Sequence, residues 1–181
     1  MSYRDEVWGR DGNTRWGNLL DASFDHLRKV SPGCKVDDSS FDVDKNGLYL
    51  FGDPAWKSYE LKFGVQIVEG ANAQIRLRLS ESLKRWYTVD FLFGWQALGI
   101  ARVDHEPNGK GHQKLSVVNL EMVRLREYKV EIAVRDLSIT TYVDGKLINQ
   151  ATDETLTSGP MGFCAWEAVA RFRQPQFRVL G

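Results

Sequence analysis

Strict alternation of apolar and polar residues is the feature that most constrains how this chain can fold. Residues 74–80 read QIRLRLS, residues 86–95 read WYTVDFLFGW, and residues 128–135 read YKVEIAVR. Residues 137–145, LSITTYVDG, end in an Asp-Gly pair that is typical of a tight turn. A period of two with β-branched and aromatic residues is typical of strands that bury one face, so the sequence predicts mainly β-structure.

Turn signals separate these stretches at short intervals. Examples are Ser-Pro-Gly at 31–33, Pro-Asn-Gly at 107–109 and Ser-Gly-Pro at 158–160. Many short strands divided in this way predict an all-β sandwich or barrel. Residues 15–30 fit either a short helix or a loop, and we favour a loop that leads into a first strand near Phe24.

Length and charge exclude several classes of protein. The 181 residues fit a single domain over 1–181, with residues 1–30 as an N-terminal segment of undecided structure. The 24 basic side chains are balanced by 24 acidic ones. Because affinity for nucleic acid rests mainly on neutralising phosphates, we expect no nucleic-acid partner. No apolar run approaches membrane-spanning length, so we expect no membrane insertion.

The location of the protein depends on the origin of Met1. If Met1 is the native start we expect a cytoplasmic protein, and if the chain is a module of a secreted protein we expect an extracellular one. Cys34 and Cys164 are too few for a disulfide framework. Two buried free thiols are favoured over a single bridge.

Residues 41–53, FDVDKNGLYLFGD, fit two different structures. The run D-x-D-x-N-G matches the start of a calcium loop, with Asp53 at its twelfth position. The same letters fit a hairpin that turns at residues 45–47. The flanking residues alternate as in strands and Asp53 precedes Pro54, so we favour the hairpin over the calcium loop.

The last third of the chain resembles a known superfamily. YVDGK at 142–146, SGPMGF at 158–163 and ARFRQPQFRVL at 170–180 resemble the C-terminal half of concanavalin A-like lectin/glucanase domains. The resemblance extends over roughly residues 36–181. It implies a two-sheet antiparallel jelly-roll β-sandwich and a sugar-related role, without choosing between binding and catalysis.

The same resemblance implies that a structural calcium ion can lie between N- and C-terminal loops. We expect no other cofactor. The available oxygen donors are Asp11, Asn13, Asp21, Asp153 and Glu154.

Strand alternation predicts which side chains face away from the core. If Ile75 and Leu77 are buried, the neighbouring arginines project from the other face, and Trp86 and Asp90 of the next strand project with them. Guanidinium and carboxylate groups hydrogen-bond sugar hydroxyls, and an indole covers the apolar face of a pyranose. The candidate ligand-binding residues, including two at a later strand end, are Arg76, Arg78, Trp86, Asp90, Trp166 and Glu167.

Two plainer interpretations compete with this site. The charged residues could be ordinary ion pairs on an exposed sheet face, each of little energetic value. A register shift of one residue would bury Trp86 in the core and expose Tyr87 instead. Trp56 and Trp95 are expected to be packed in the core or in loops, and residues 104–114 are expected to form a loop that could cover the face.

No motif for catalysis appears in the sequence. Glycoside hydrolysis normally uses two carboxylates, and the E-x-D-x-x-E run of glucanases that this chain resembles is absent. A pair of Asp90 with Glu131 or Glu167 is the remaining arrangement. We therefore predict non-catalytic binding of an oligo- or polysaccharide. The alternatives are a glycoside hydrolase of the same fold and a laminin-G-like protein-interaction domain.

Overall fold

The computed structural model describes residues 16–21, 27–45 and 47–180. These residues form antiparallel β-strands and one 3₁₀ turn, Phe93–Trp95. No helix in this part of the chain is long and apolar enough to cross a membrane. The strands are β1 Gly17–Asn18, β2 Leu27–Val30, β3 Cys34–Val36, β4 Ser40–Val43, β5 Leu48–Gly52, β6 Ser58–Leu77, β7 Arg85–Leu92, β8 Ala97–Asp104, β9 Gly111–Asn119, β10 Glu127–Arg135, β11 Ser138–Val143, β12 Lys146–Thr152 and β13 Met161–Leu180.

Two strands of 20 residues, β6 and β13, pair with each other along their whole length and belong to both sheets. The front sheet has the order β2-β5-β13-β6-β7-β8-β9 and uses residues 161–166 and 72–77 of the long strands. The back sheet has the order β3-β4-β13-β6-β10-β11-β12 and uses residues 170–180 and 58–67. This is the predicted all-β, two-sheet antiparallel jelly-roll sandwich.

The long strands pass from one sheet to the other at a shared bend. Gly70 has a φ of +83°, and a Cβ at this position would lie 1.9 Å from the carbonyl oxygen of Glu167. Glu167 itself has a φ of +45°, and the ladder slips by one residue between Val169 and Ala170. Bulges and glycine are the usual means by which a strand turns a corner, because they raise local twist and allow close backbone approach.

Aromatic side chains from both sheets fill the space between them. Phe63 of the back sheet meets Phe163 of the front sheet edge-on, with ring centroids 5.4 Å apart. Phe172 packs against both rings, and Phe41 stacks on Tyr49 at 4.5 Å. Trp56 also packs in this core, as predicted, and is 7% exposed.

The sandwich is closed at one edge by a buried polar residue. Asn149 of β12 donates a hydrogen bond to the carbonyl of Leu98 in β8 at 3.0 Å and accepts one from Ser116 of β9 at 2.5 Å. A buried amide is costly unless it is hydrogen-bonded, so these contacts are needed in the folded state. They connect the edge strand of the back sheet to two strands of the front sheet.

The prediction of a hairpin over residues 41–53 that turns at 45–47 is wrong. β4 and β5 do not pair with each other but follow one another along β13, with an interruption at 44–47. The hairpin turn lies earlier, between β3 and β4, where the Asp37 carboxylate accepts hydrogen bonds from the amides of Ser39 and Ser40. A side chain that accepts hydrogen bonds from backbone amides two and three residues later stabilises a tight turn. The hairpin turn therefore forms after Asp37 and not at the Asn-Gly pair.

The carboxylates considered for calcium have other partners. Asp42 forms a bidentate pair with Arg171, and Asp53 accepts a hydrogen bond from the Ala55 amide. Within the ranges that the structure describes, no three His, Cys, Asp or Glu side chains are grouped to hold a metal ion. Asp11, Asn13, Asn46 and Phe24, on which earlier predictions fell, lie outside those ranges. Cys34 and Cys164 are free thiols, and Cys164 is buried as predicted, whereas Cys34 is only half-buried.

Arg78 was predicted on the outer face, and this prediction is wrong. The residue is 1% exposed, and its guanidinium donates hydrogen bonds to the carbonyls of Lys57, Leu156 and Asp136. Its φ of +50° interrupts the two-residue period just after β6. As a consequence Leu79, which strict alternation with Ile75 and Leu77 would place inside, packs instead with an outer cluster around Trp86.

Replacing Arg78 with Met should destabilise the fold by about 2–4 kcal/mol, because buried carbonyls would lose their donors. Urea unfolding measures the effect. Arg126→Met is the matched control, since Arg126 forms an exposed pair with Asp144 and should cost less than about 1 kcal/mol. Equal midpoints for the two variants would contradict a structural role for Arg78.

The Asp153 carboxyl should make the free energy of unfolding depend on pH in the acid range. Burial would raise the pKa of its carboxyl, but hydrogen bonds from Tyr87, Thr155 and Arg102 outweigh it and lower the pKa from 3.8 to about 2. A carboxyl whose pKa is lowered in the folded state stabilises the fold at pH values above its unfolded pKa. This stabilisation is lost as pH falls from about 4 through 2.

We therefore expect Asp153→Asn to be less stable than the parent by about 2 kcal/mol at pH 7. The difference should shrink in urea titrations as pH falls from 4 to 2. Asp38→Asn, at an exposed carboxylate, is the control. A deficit that stays constant down to pH 2 would show that the carboxylate charge is not responsible.

Candidate functional site

The outer face of the front sheet contains a groove of about 410 Å³. Strand register sets its layout, because residues paired across β6, β7, β8 and β9 form rows that point to the same face. One row consists of Arg76, Thr88, Ala101 and Lys114. The next row consists of Gln74, Asp90, Gly99 and Val117.

Small residues in the middle of these rows form the floor. Thr88, Gly99 and Ala101 are buried, and they lie between longer side chains on both sides. A Cβ added at Gly99 would meet Leu92 at 3.5 Å, and its three nearest neighbours are all side-chain atoms. The depression therefore results from side-chain size on an otherwise continuous sheet.

Trp86 forms one end of the groove. Its ring stacks under the Arg76 guanidinium at 4.2 Å and lies 5.4 Å from the His105 ring. Trp86 is on the outer face, while Tyr87 is buried in the core and donates a hydrogen bond to Asp153. The predicted register is therefore the observed one.

Two exposed tryptophans line the groove away from Trp86. Trp166, beside Asn72 in the β13–β6 ladder, is 58% exposed, and Trp95 in the 3₁₀ turn is 72% exposed. The prediction that Trp95 is packed in the core or a loop is wrong, because β7 ends before it and the turn directs it to the groove. Exposing two indoles costs solvation free energy that a stacked ligand would recover.

Asp90 lies in the groove but is 3% exposed. Its Oδ1 accepts a hydrogen bond from Thr88 at 2.6 Å, and its Oδ2 lies 3.5 Å from Nε2 of His112. The Asp90 carboxylate raises the pKa of His112 more than burial of the imidazole lowers it. The pair forms a polar centre with one outward-facing imidazole.

The cations of the groove are not neutralised by carboxylates. Among the described residues no acceptor bonds the Arg76 Nε, which is buried, and no carboxylate lies within ion-pairing distance of Arg76 or Lys114. The Lys114 ammonium instead lies 5.7 Å from the Trp95 ring.

The structure brings four of the six predicted site residues into the groove: Arg76, Trp86, Asp90 and Trp166. Arg78 is excluded, as described above. Glu167 is also misplaced by the prediction, since it lies at the bend beside Asp44, Lys45 and Glu69. It directly follows Trp166 in β13, and successive side chains of a strand point to opposite faces.

Several groove residues were missed. His112 and Lys114 belong to β9, although residues 104–114 were predicted to form a covering loop. The segment is a β8–β9 hairpin whose turn spans only 105–110, so it extends the sheet. The alternation of H-Q-K at 112–114 was the available signal, and the neighbouring Pro and Gly residues concealed it.

The carboxylate pairs considered as the remaining catalytic arrangement, Asp90 with Glu131 or Glu167, are not brought together in the groove. Asp90 is the one carboxylate among the residues that line the groove within the described chain. Glu131 lies on the outer face of the back sheet, where it pairs with Lys62 at 3.6 Å, and Glu167 lies outside the groove.

By sequence, no protein-family model and no curated protein matches the chain. By structure, it is similar to the carbohydrate binding module CBM66 from Bacillus subtilis, with a TM-score of 0.66 and 12% identity over 90% of this chain and 94% of that one. It is also similar to a Bacillus licheniformis β-glucanase, with a TM-score of 0.64 and 11% identity over 95% of this chain and 100% of that one. A third similar structure is the Caenorhabditis elegans galectin LEC-6, with a TM-score of 0.54 and 11% identity over 96% of this chain and 97% of that one. The chain therefore shares its jelly-roll β-sandwich fold with these proteins.

Proposed function

We propose that this protein binds carbohydrate without cleaving it, in the groove on the outer face of the front sheet. The observation that carries the proposal is the pair of exposed indoles, Trp95 and Trp166, beside a floor of small residues. Such a surface suits a sugar ring, whose apolar C–H face stacks on an aromatic plane while its hydroxyls bond polar neighbours.

The polar neighbours supply both kinds of hydrogen-bonding group. Asn72 and Gln74 carry amides that donate and accept, while Arg76 donates and Asp90 accepts. The structural neighbours support a carbohydrate-related role for the fold, since they are a carbohydrate binding module, a β-glucanase and a galectin.

Binding is favoured over hydrolysis because of the count of carboxylates. The usual mechanism places two carboxyl groups about 5–9.5 Å apart on either side of the glycosidic bond. Asp90 has no such companion among the described residues that line the groove, and Thr88 and His112 already contact its oxygens.

The test is a screen of the full chain against plant, bacterial and animal glycans for both binding and release of reducing sugar. Binding without release is the expected result. Release would replace the proposal with a glycoside hydrolase, and a lack of both would favour a protein-interaction domain.

Removing the aromatic surface should weaken glycan binding. Trp166→Ala and Trp95→Ala should each raise Kd about tenfold, because each deletes a stacking contact of about 1 kcal/mol and its buried area. Titration calorimetry with the best glycan of the screen measures this.

Trp16→Ala is the matched control for the two tryptophan variants. Trp16 lies on the outer face of the back sheet between Lys62 and Arg178, so its loss should leave Kd unchanged. If Trp16→Ala weakened binding as much as the other two, the ligand would not lie in the groove.

Filling the floor should block the site while the core stays intact. Gly99→Leu adds a side chain to the groove and should raise Kd at least about tenfold, whereas Gly99→Ala should have a smaller effect. Thr140→Leu on the back sheet is the control, and thermal unfolding checks the fold of all three. Unchanged affinity in folded Gly99→Leu would refute this position for the ligand.

A further inference from the structure

We propose that the groove selects acidic saccharides, with the anionic group of the sugar bound at Arg76 and the chain extending toward Lys114. The anionic group is a carboxylate of a uronic acid or a sulfate ester. This inference rests on the proposed carbohydrate-binding function and names the class of its ligand.

The charge of the groove differs from that of the whole chain. The protein carries equal numbers of acidic and basic side chains. The residues lining the groove include Arg76, Lys114 and two histidines but only one carboxylate, Asp90. The groove is therefore positive even when both imidazoles are neutral, and this local excess attracts anions.

Arg76 is held ready for a ligand. Stacking on Trp86 fixes the plane of its guanidinium, with a separation of 4.2 Å. Its Nε is buried without an acceptor in the described structure, and no carboxylate pairs with it. A fixed guanidinium without a counter-ion offers charge-assisted, often bidentate hydrogen bonds to an anionic group.

Asp90 does not cancel this attraction. Thr88 hydrogen-bonds one of its oxygens, and His112 lies 3.5 Å from the other. The groove therefore holds one negative charge, at Asp90, against the two positive charges of Arg76 and Lys114. Protonation of His112 below its raised pKa would make the groove more positive still.

Register places the two cations at opposite ends of one row. Thr88 and Ala101 separate Arg76 from Lys114, so three strand spacings, about 14 Å, lie between their Cα atoms. A single sugar ring does not span that distance. A saccharide of two or more units lying across the strands would contact both cations.

The experiment compares matched charged and neutral ligands. Oligogalacturonides are paired with their neutral methyl esters, and κ-carrageenan oligosaccharides with their desulfated form. We expect one acidic member to bind at least about tenfold tighter than its neutral partner, and its affinity to fall as salt rises. The preferred pair distinguishes carboxylate from sulfate.

Three variants locate the effect. Arg76→Gln should abolish the preference for the charged ligand, and Lys114→Gln should reduce it severalfold for chains of two or more units. Lys146→Gln removes one exposed charge outside the groove and should change nothing. Thermal unfolding confirms that each variant is folded.

The outcomes separate the two proposals. Neutral glycans bound as well as or better than acidic ones would refute the inference and leave carbohydrate binding intact. A charge preference that survives in folded Arg76→Gln would also refute it. Failure to bind any glycan of the broad screen or these pairs would refute carbohydrate binding itself.

Discussion

The rest of the structure depends on one constraint: β6 and β13 must turn the same corner together. Each strand contributes one part of its length to the front sheet and a longer part to the back sheet, so the two sheets are covalently continuous. The close approach of Gly70 to the Glu167 carbonyl leaves no space for a side chain at that point. Without this bend the two halves would form one flat sheet with no enclosed core.

The groove is a secondary consequence of the same arrangement. The inner face of the front sheet carries large residues such as Tyr87 and Phe163 because it must fill the sandwich. Its outer face is free of that requirement, and small residues at Gly99 and Ala101 leave a depression there. Asn149 supports the strand that carries this floor from behind, through the Leu98 carbonyl.

Two arginines that are two residues apart, Arg76 in β6 and Arg78 just after its end, have opposite roles. Arg78 is enclosed by main-chain carbonyls and holds connecting segments together, whereas Arg76 lies on Trp86 and has no described acceptor. The difference follows from the backbone at Arg78, whose positive φ interrupts the two-residue alternation just after β6. Composition does not distinguish the two, and only their backbone environment does.

The sequence by itself determined the all-β class, several of the strands and the faces of Arg76, Trp86 and Asp90, because a two-residue period depends only on local order. It could not determine where that period breaks, so Arg78 and Glu167 were assigned to the wrong surroundings. Residues distant in sequence were brought together by strand pairing, as for His112 beside Asp90, and by pairing together with the 3₁₀ turn, as for Trp95 beside Lys114. Tertiary structure decided the composition of the groove, because pairing partners are set by the packing of the whole sandwich.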